Sequence, residues 1–343
     1  MKFPKDNLPH KAVIEWWYFN GNLSDKKGNK YAFMDCLFKT DPKKTNIPLV
    51  EKIPAKEVYF SHSVFSDISR NRAKVRMHPL SILSEDSLKS KTLFINYLNP
   101  SPFEYVNNEM IELKNGFKIR NEEIDLFLRI RKKPFLHNGN GIFNVNDKKV
   151  FYYSFTDLEA KGTITVKEKP VKVEGKAWMD HEWASFSGKK NWNWFSIQLD
   201  NNVELMIQDY NNGENVYAGI NGRNPEFVHN VDLIPKKFWK STLTGAEYPI
   251  EWEIFLPSKN ILLNIKAPIK NQEVLFGSMN YWEGPIVISG KWNGKNVKGK
   301  GFMELTGREM HKSKISIYES ELKKEAQKYI SLAKKEARHY FKH

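Results

Sequence analysis

Short runs of alternating apolar and polar residues, punctuated by turn formers, constrain this chain more than any other feature. Residues 16–23, 31–39, 57–66, 119–130, 150–154 and 162–166 carry the pattern in the first half, and 192–199, 204–210, 250–255, 261–265, 286–291 and 301–305 continue it. Between them stand Ser24-Asp25-Lys26-Lys27-Gly28-Asn29, Asn201-Asn202 and Asn221-Gly222. A period of two places alternate side chains on opposite faces of a strand. Strands this short and this closely spaced build antiparallel barrels or sandwiches rather than a parallel α/β sheet. The run 192–199 departs from simple amphipathicity. Trp192, Trp194, Ser196 and Gln198 share one face, Asn193, Phe195, Ile197 and Leu199 the other, and neither face is purely polar. Such a strand is expected to have protein or ligand on both sides.

A length of 343 residues allows two domains with substantial cores. The last segment changes period: Leu322, Ala326, Tyr329, Ile330, Ala333, Ala337 and Tyr340 recur at helical spacing. It predicts an amphipathic helix packed outside the sheets, with Glu319, Glu321, Glu325 and Glu336 weakening any membrane-surface role. The single cysteine, Cys36, lies in an alternating run and is expected in a core; it excludes an internal disulfide and any multi-cysteine zinc cage. The first residues lack the apolar stretch of a signal peptide, and no run approaches a membrane span, so a cytoplasmic protein is expected. The net charge of +14 is scattered in small groups such as Lys43-Lys44 and Arg131-Lys132-Lys133, without the stripe that nucleic-acid binding requires. There is no G-x-S-x-G elbow, Walker loop, H-E-x-x-H or C-x-x-C. No metal or cofactor is expected.

Three segments embed charged groups in aromatic runs. They are Glu15-Trp16-Trp17-Tyr18-Phe19-Asn20-Gly21, Trp178-Met179-Asp180-His181-Glu182-Trp183, and Tyr281-Trp282-Glu283-Gly284 followed by Gly301-Phe302-Met303-Glu304-Leu305-Thr306-Gly307. In this order they resemble the AttH and carotenoid 1,2-hydratase (hydroxyneurosporene synthase) family, with smaller echoes at Ser61-His62-Ser63-Val64 and Tyr152-Tyr153-Ser154. The resemblance implies two lipocalin-like antiparallel barrel or sandwich domains, expected at 1–185 and 186–310, followed by the helix at 311–343. It also implies a pocket for an apolar isoprenoid, polyketide or lipid near the domain contact. The carotenoid hydratase branch resembles a pattern with His and Trp upstream of its aspartate and Tyr two residues before it. Here Phe151-Tyr152-Tyr153 and Trp178 stand instead, which places the chain nearer the AttH side.

Alternation puts Trp178, Asp180 and Glu182 on one face of their strand, and Met179, His181 and Trp183 on the other. A carboxyl beside indoles loses solvation and keeps its proton near neutrality. Hydration of a C=C bond needs such an acid, and aromatic faces stabilise the resulting cation by roughly 0.5–2 kcal/mol each. Asp180 is therefore the candidate proton donor, with His181 or Tyr153 orienting acid or water. Trp17, Trp178 and Trp194 are expected to line the pocket, with Glu15, His62 and Tyr281 as further ligand-binding candidates. The competing reading is a buried hydrogen-bond network that joins two domains, with Glu283 and Glu304 structural. A carrier without catalysis is the rival function.

Overall fold

The computed structural model describes residues 1–47, 50–99, 106–145, 148–187, 191–210, 213, 215–276 and 279–311. The predicted helix at 311–343 lies, apart from its first residue, outside the described residues. The chain is all-β, as the alternation requires. Ten strands close into an antiparallel barrel, in the ring order Lys148–Val166, Lys169–Ala184, Ile14–Asp25, Lys30–Thr40, Val58–Asp67, Arg72–Leu83, Phe94–Asn99, Val106–Leu113, Gly116–Arg120 and Ile124–Ile130. The last strand pairs back onto the first, Leu158 opposite Ile130 and Ile164 opposite Ile124. A second antiparallel sheet takes up Trp192 onward. Its central strands are Glu204–Tyr210, Trp192–Leu199, Lys295–Thr306 and Met279–Trp292, and among the described residues it does not close.

Two expected runs are built differently. Residues 119–130 form a hairpin, because Asn121 turns the chain and its Oδ1 accepts from the amides of Glu123 and Ile124. Residues 150–154 and 162–166 belong to one 19-residue strand whose register slips between Phe155 and Leu158. A bulge of this kind bends a long strand without ending it.

Three apolar layers result. Trp17, Phe19, Leu37, Tyr153, Met179 and Trp183 fill the barrel, and Phe195, Ile197, Ile254 and Trp282 cover the inner face of the second sheet. Between the sheets lie Tyr18, Met34, Cys36, Tyr152, Trp178, Trp194, Tyr281 and Phe302. The strand Trp192–Leu199 thus packs on both faces, as its composition requires. Cys36 is a buried residue of the middle layer.

Within the second sheet the strands Trp192–Leu199 and Lys295–Thr306 leave no room for a side chain at one position. An added Cβ at Gly301 falls 1.7 Å from the carbonyl oxygen of Ser196, a backbone atom on the neighbouring strand. Gly301→Ala is therefore expected to cost about 1–3 kcal/mol. Thermal denaturation checks this, and an unchanged melting temperature would contradict the packing.

Candidate functional site

The strand Lys169–Ala184 divides its polar groups between two compartments. Asp180 pairs in register with Tyr18 on one side and Ser154 on the other, His181 with Trp17 and Tyr153. Successive side chains point oppositely, so Trp178 and Asp180 enter the layer between the sheets while His181 enters the barrel.

In the outer compartment Asp180 is buried and accepts three hydrogen bonds. Trp178 Nε1 donates to Oδ1 at 2.6 Å, the Ser154 hydroxyl lies against the same oxygen, and the Tyr152 hydroxyl donates to Oδ2 at 2.9 Å. Trp194, from the second sheet, donates its indole N–H to Tyr152 Oη at 3.1 Å. Burial pushes the Asp180 carboxyl up to about 7, and the bonds from Ser154, Trp178 and Tyr152 only partly oppose it. Two more carboxyls face this layer. Glu283 and Glu304 are directly opposed across neighbouring strands; Glu283 takes a bond from Tyr18 at 2.9 Å, and Glu304 from Trp192 Nε1 at 3.0 Å. Burial raises both, Glu283 well above the usual range and Glu304 to about 7, with the Asp180 charge adding to the latter. His62 and Tyr281 also meet in this layer, His62 Nδ1 lying 2.6 Å from the Tyr281 hydroxyl; burial holds the imidazole down to about 3 and therefore neutral. Asn20 Nδ2, His62 Nε2 and Gln272 Nε2 are buried here without a hydrogen-bond partner among the described residues.

The inner compartment holds a different set. Glu15 Oε1 lies 2.8 Å from His10 Nδ1 and 2.9 Å from His181 Nε2, and Lys39 Nζ is 3.3 Å from Oε2. Tyr153 reaches His181 Nδ1 at 3.0 Å, and Trp17 stacks on the His181 ring. Burial raises the Glu15 carboxyl, but the bonds from His10 and His181, with the charges of His181 and Lys39, outweigh it and hold the group at about 2. His10, Glu15 and His181 offer ligand atoms within 4.8 Å of one another, a donor set that suits a transition metal. The Lys39 ammonium already neutralises this carboxylate, so a second cation would meet an existing charge.

Of the residues singled out from sequence, the structure brings together Asp180, Trp178, Trp194, His62 and Tyr281 between the sheets. It sets Tyr153, His181, Glu15 and Trp17 apart from them, inside the barrel. The expected pairing of His181 or Tyr153 with Asp180 is thus not made, because an odd offset along a strand reverses the face. Tyr152 and Ser154 take that place, and their alternation with Tyr153 was the available signal. His137 was missed altogether. It stands in a turn of Asn and Gly residues, lies 2.7 Å from Ser154 Oγ through Nε2, and carries no motif.

A cleft of about 680 Å³ opens elsewhere, lined by Phe65, Arg70, Arg72 and Lys167 from the barrel and by Ile269 and Lys270 from the second half of the chain, among others. None of the sequence-derived site residues lines it. No helix among the described residues is long and apolar enough to cross a membrane.

The model of the AttH-like family matches residues 1–308, nearly all of the described chain. The chain belongs to the AttH-like family. An AttH-type protein of Nitrosomonas europaea shares its fold with a TM-score of 0.70 at 22% identity, over 90% of this chain and 97% of that one. Kievitone hydratase of Nectria haematococca gives 0.66 at 14% identity, over 89% and 92%. In sequence the chain is 21% identical to the dehydratase asqC of Emericella nidulans over 204 residues, which are 54% of this AttH-like chain and 58% of that protein. The match therefore spans little more than half of the curated relative.

Proposed function

We propose that this AttH-like protein is a cofactor-free hydratase or dehydratase acting on a C=C bond of an apolar isoprenoid- or polyketide-like molecule held between the two sheets. The observation that carries the reading is Asp180, a carboxyl raised to about 7 while walled by Trp178, Trp194 and Tyr152. In the hydration direction its proton passes to an alkene carbon and the π pair forms the new C–H bond. The indole faces shelter the cation at the neighbouring carbon. Water then adds there, and its proton passes to the Glu304 carboxylate on the opposite sheet. That proton returns to Asp180 between turnovers, and the sum is alkene plus water to alcohol. Dehydration is the reverse. The Asp180 charge adds to the burial that raises Glu304, so the ionisation of one disfavours that of the other and leaves one acid and one base near neutrality. A hydratase and a dehydratase among the similar proteins support the reaction class.

The second reading, a carrier for an anionic lipid, draws on the 680 Å³ cleft with its Arg and Lys rim and apolar Phe65 and Ile269. Titration with a conjugated polyene and with a fatty acid separates the two. Binding beside Trp178 and Trp194 is expected to quench tryptophan emission and to be insensitive to salt. Binding in the basic cleft, which no tryptophan lines, weakens with salt and leaves emission unchanged. The latter result alone would favour the carrier.

A further inference from the structure

Asp180 acts as an acid only if its protonated form is properly hydrogen-bonded, and its three partners differ in their capacity for that. The Trp178 indole N–H only donates. Tyr152 Oη already accepts the Trp194 N–H at 3.1 Å while aiming its own hydrogen at Asp180 Oδ2. Ser154 Oγ remains, and it accepts a carboxyl hydrogen only when its own hydrogen goes elsewhere. Among the described residues the other side chain against that hydroxyl is His137, with Nε2 at 2.7 Å.

We propose that His137 is a positioning residue for Asp180: its Nε2 takes the Ser154 hydroxyl hydrogen, which frees Ser154 Oγ to accept that of the protonated carboxyl. The imidazole is fully buried and held rigidly, stacked on Tyr152 with ring centres 3.8 Å apart and edge-on to Phe135 at 5.1 Å. It therefore touches the Ser154 hydroxyl and the ring of Tyr152, the two residues whose hydroxyls serve Asp180. Its segment is tied to the same strand, Phe135 pairing with Ser154 and Leu136 with Tyr153. Burial holds the ring down to about 3, so it stays neutral and offers one bare nitrogen; Nδ1 has no partner among the described residues. When Asp180 loses its proton, Ser154 rotates and donates to the carboxylate instead. The hydroxyl is thus a two-position link between carboxyl and imidazole, and the ring raises the carboxyl's affinity for its proton. Tyr18, Tyr152 and Cys36 from the barrel, and Tyr217 and Glu304 from the second sheet, also sense the Asp180 charge, and Glu182 acts on Tyr152 and Tyr217. The test must therefore isolate the Ser154 path.

The inference deepens the reading of Asp180 as an acid, but it is tested without turnover. The full chain carrying carboxyl-¹³C aspartate is titrated by NMR, with the Asp180 signal assigned from Asp180→Asn. His137→Phe keeps the stack on Tyr152 and removes the acceptor, and is expected to lower the Asp180 midpoint by about one unit, the scale of one lost hydrogen-bond partner. In a Ser154→Ala background the same change is expected to move the midpoint by less than a third of that. An equal shift in both backgrounds, or none in either, overturns the proposal. Should His137→Phe fail to fold, the ¹⁵N shifts of the wild-type imidazole decide. Nε2 is expected to be the unprotonated nitrogen at pH values below the Asp180 midpoint, and a protonated Nε2 there overturns it. A positive result without turnover on any alkene would sink the catalytic reading alone.

Discussion

Asp180→Asn is expected to lower the rate of hydration or dehydration about 10²-fold or more, while affinity for the same apolar ligand stays within about tenfold. The substitution keeps the shape of a side chain that accepts bonds from Trp178, Tyr152 and Ser154, and removes the proton it donates. Stability is expected to respond in a characteristic direction. The folded carboxyl is raised to about 7 against an ordinary 3.8. The folded state therefore holds this proton more tightly, and stability from this site is present below about pH 4 and is lost as pH rises toward 7. The asparagine variant lacks that loss, so its melting temperature relative to wild type is expected to rise between pH 4 and 8. Measuring turnover, affinity and melting on one preparation checks all three. A rate unchanged within threefold would remove Asp180 from the mechanism. Weakened binding with a large stability loss at every pH would identify a purely structural network.

Glu15→Ala is expected to be the most destabilising single change at the inner cluster, costing about 3 kcal/mol, because it removes the buried partner of the Lys39 ammonium and leaves only the exposed Glu57 carboxylate at 3.5 Å. Lys39 is only 3% exposed and Glu15 is fully buried. Lys39 also donates to the His10 carbonyl, and His10 stacks on Trp183, so the loss spreads to the segment that precedes the first strand. The pH dependence runs opposite to that of Asp180. Glu15 is held at about 2 in the folded chain against an ordinary 4.5, so its stabilisation is complete above about pH 4.5 and is lost as pH falls toward 2. Chemical denaturation of wild type and variant from pH 3 to 7 is expected to show the difference between them shrinking as acid is added. A constant difference across that range would mean that the carboxylate charge is not what holds the cluster. Turnover, corrected for the folded fraction, is expected to survive, since Glu15 faces the barrel and Asp180 the other layer.

These two changes separate what is local in the sequence from what is not. Strand class, the burial of Cys36 and the double-sided strand at Trp192–Leu199 follow from a period of two, which sequence carries directly. The same periodicity placed Trp178 and Asp180 on one face and His181 on the other, and the embedding of Asp180 among indoles was enough to anticipate a raised carboxyl. Alternation does not, however, say which face meets which partner. Trp17 was expected beside Trp178, yet residue 17 faces the barrel and its neighbours Trp16 and Tyr18 face the second sheet. Tyr152 and Ser154 reach Asp180 only because the strands Lys148–Val166 and Lys169–Ala184 pair in one register, and a one-residue slip would have delivered Tyr153 instead. Trp194 joins Tyr152 from 42 residues away and Tyr281 joins His62 from 219, each across the two sheets, and His137 arrives through a turn with no pattern of its own. The sequence alone thus determined an antiparallel β protein with its acid in an aromatic setting. Which groups share that setting was decided by register and by the closure of one sheet against the other, because hydrogen-bond partners across strands are set by long-range pairing that no local period encodes.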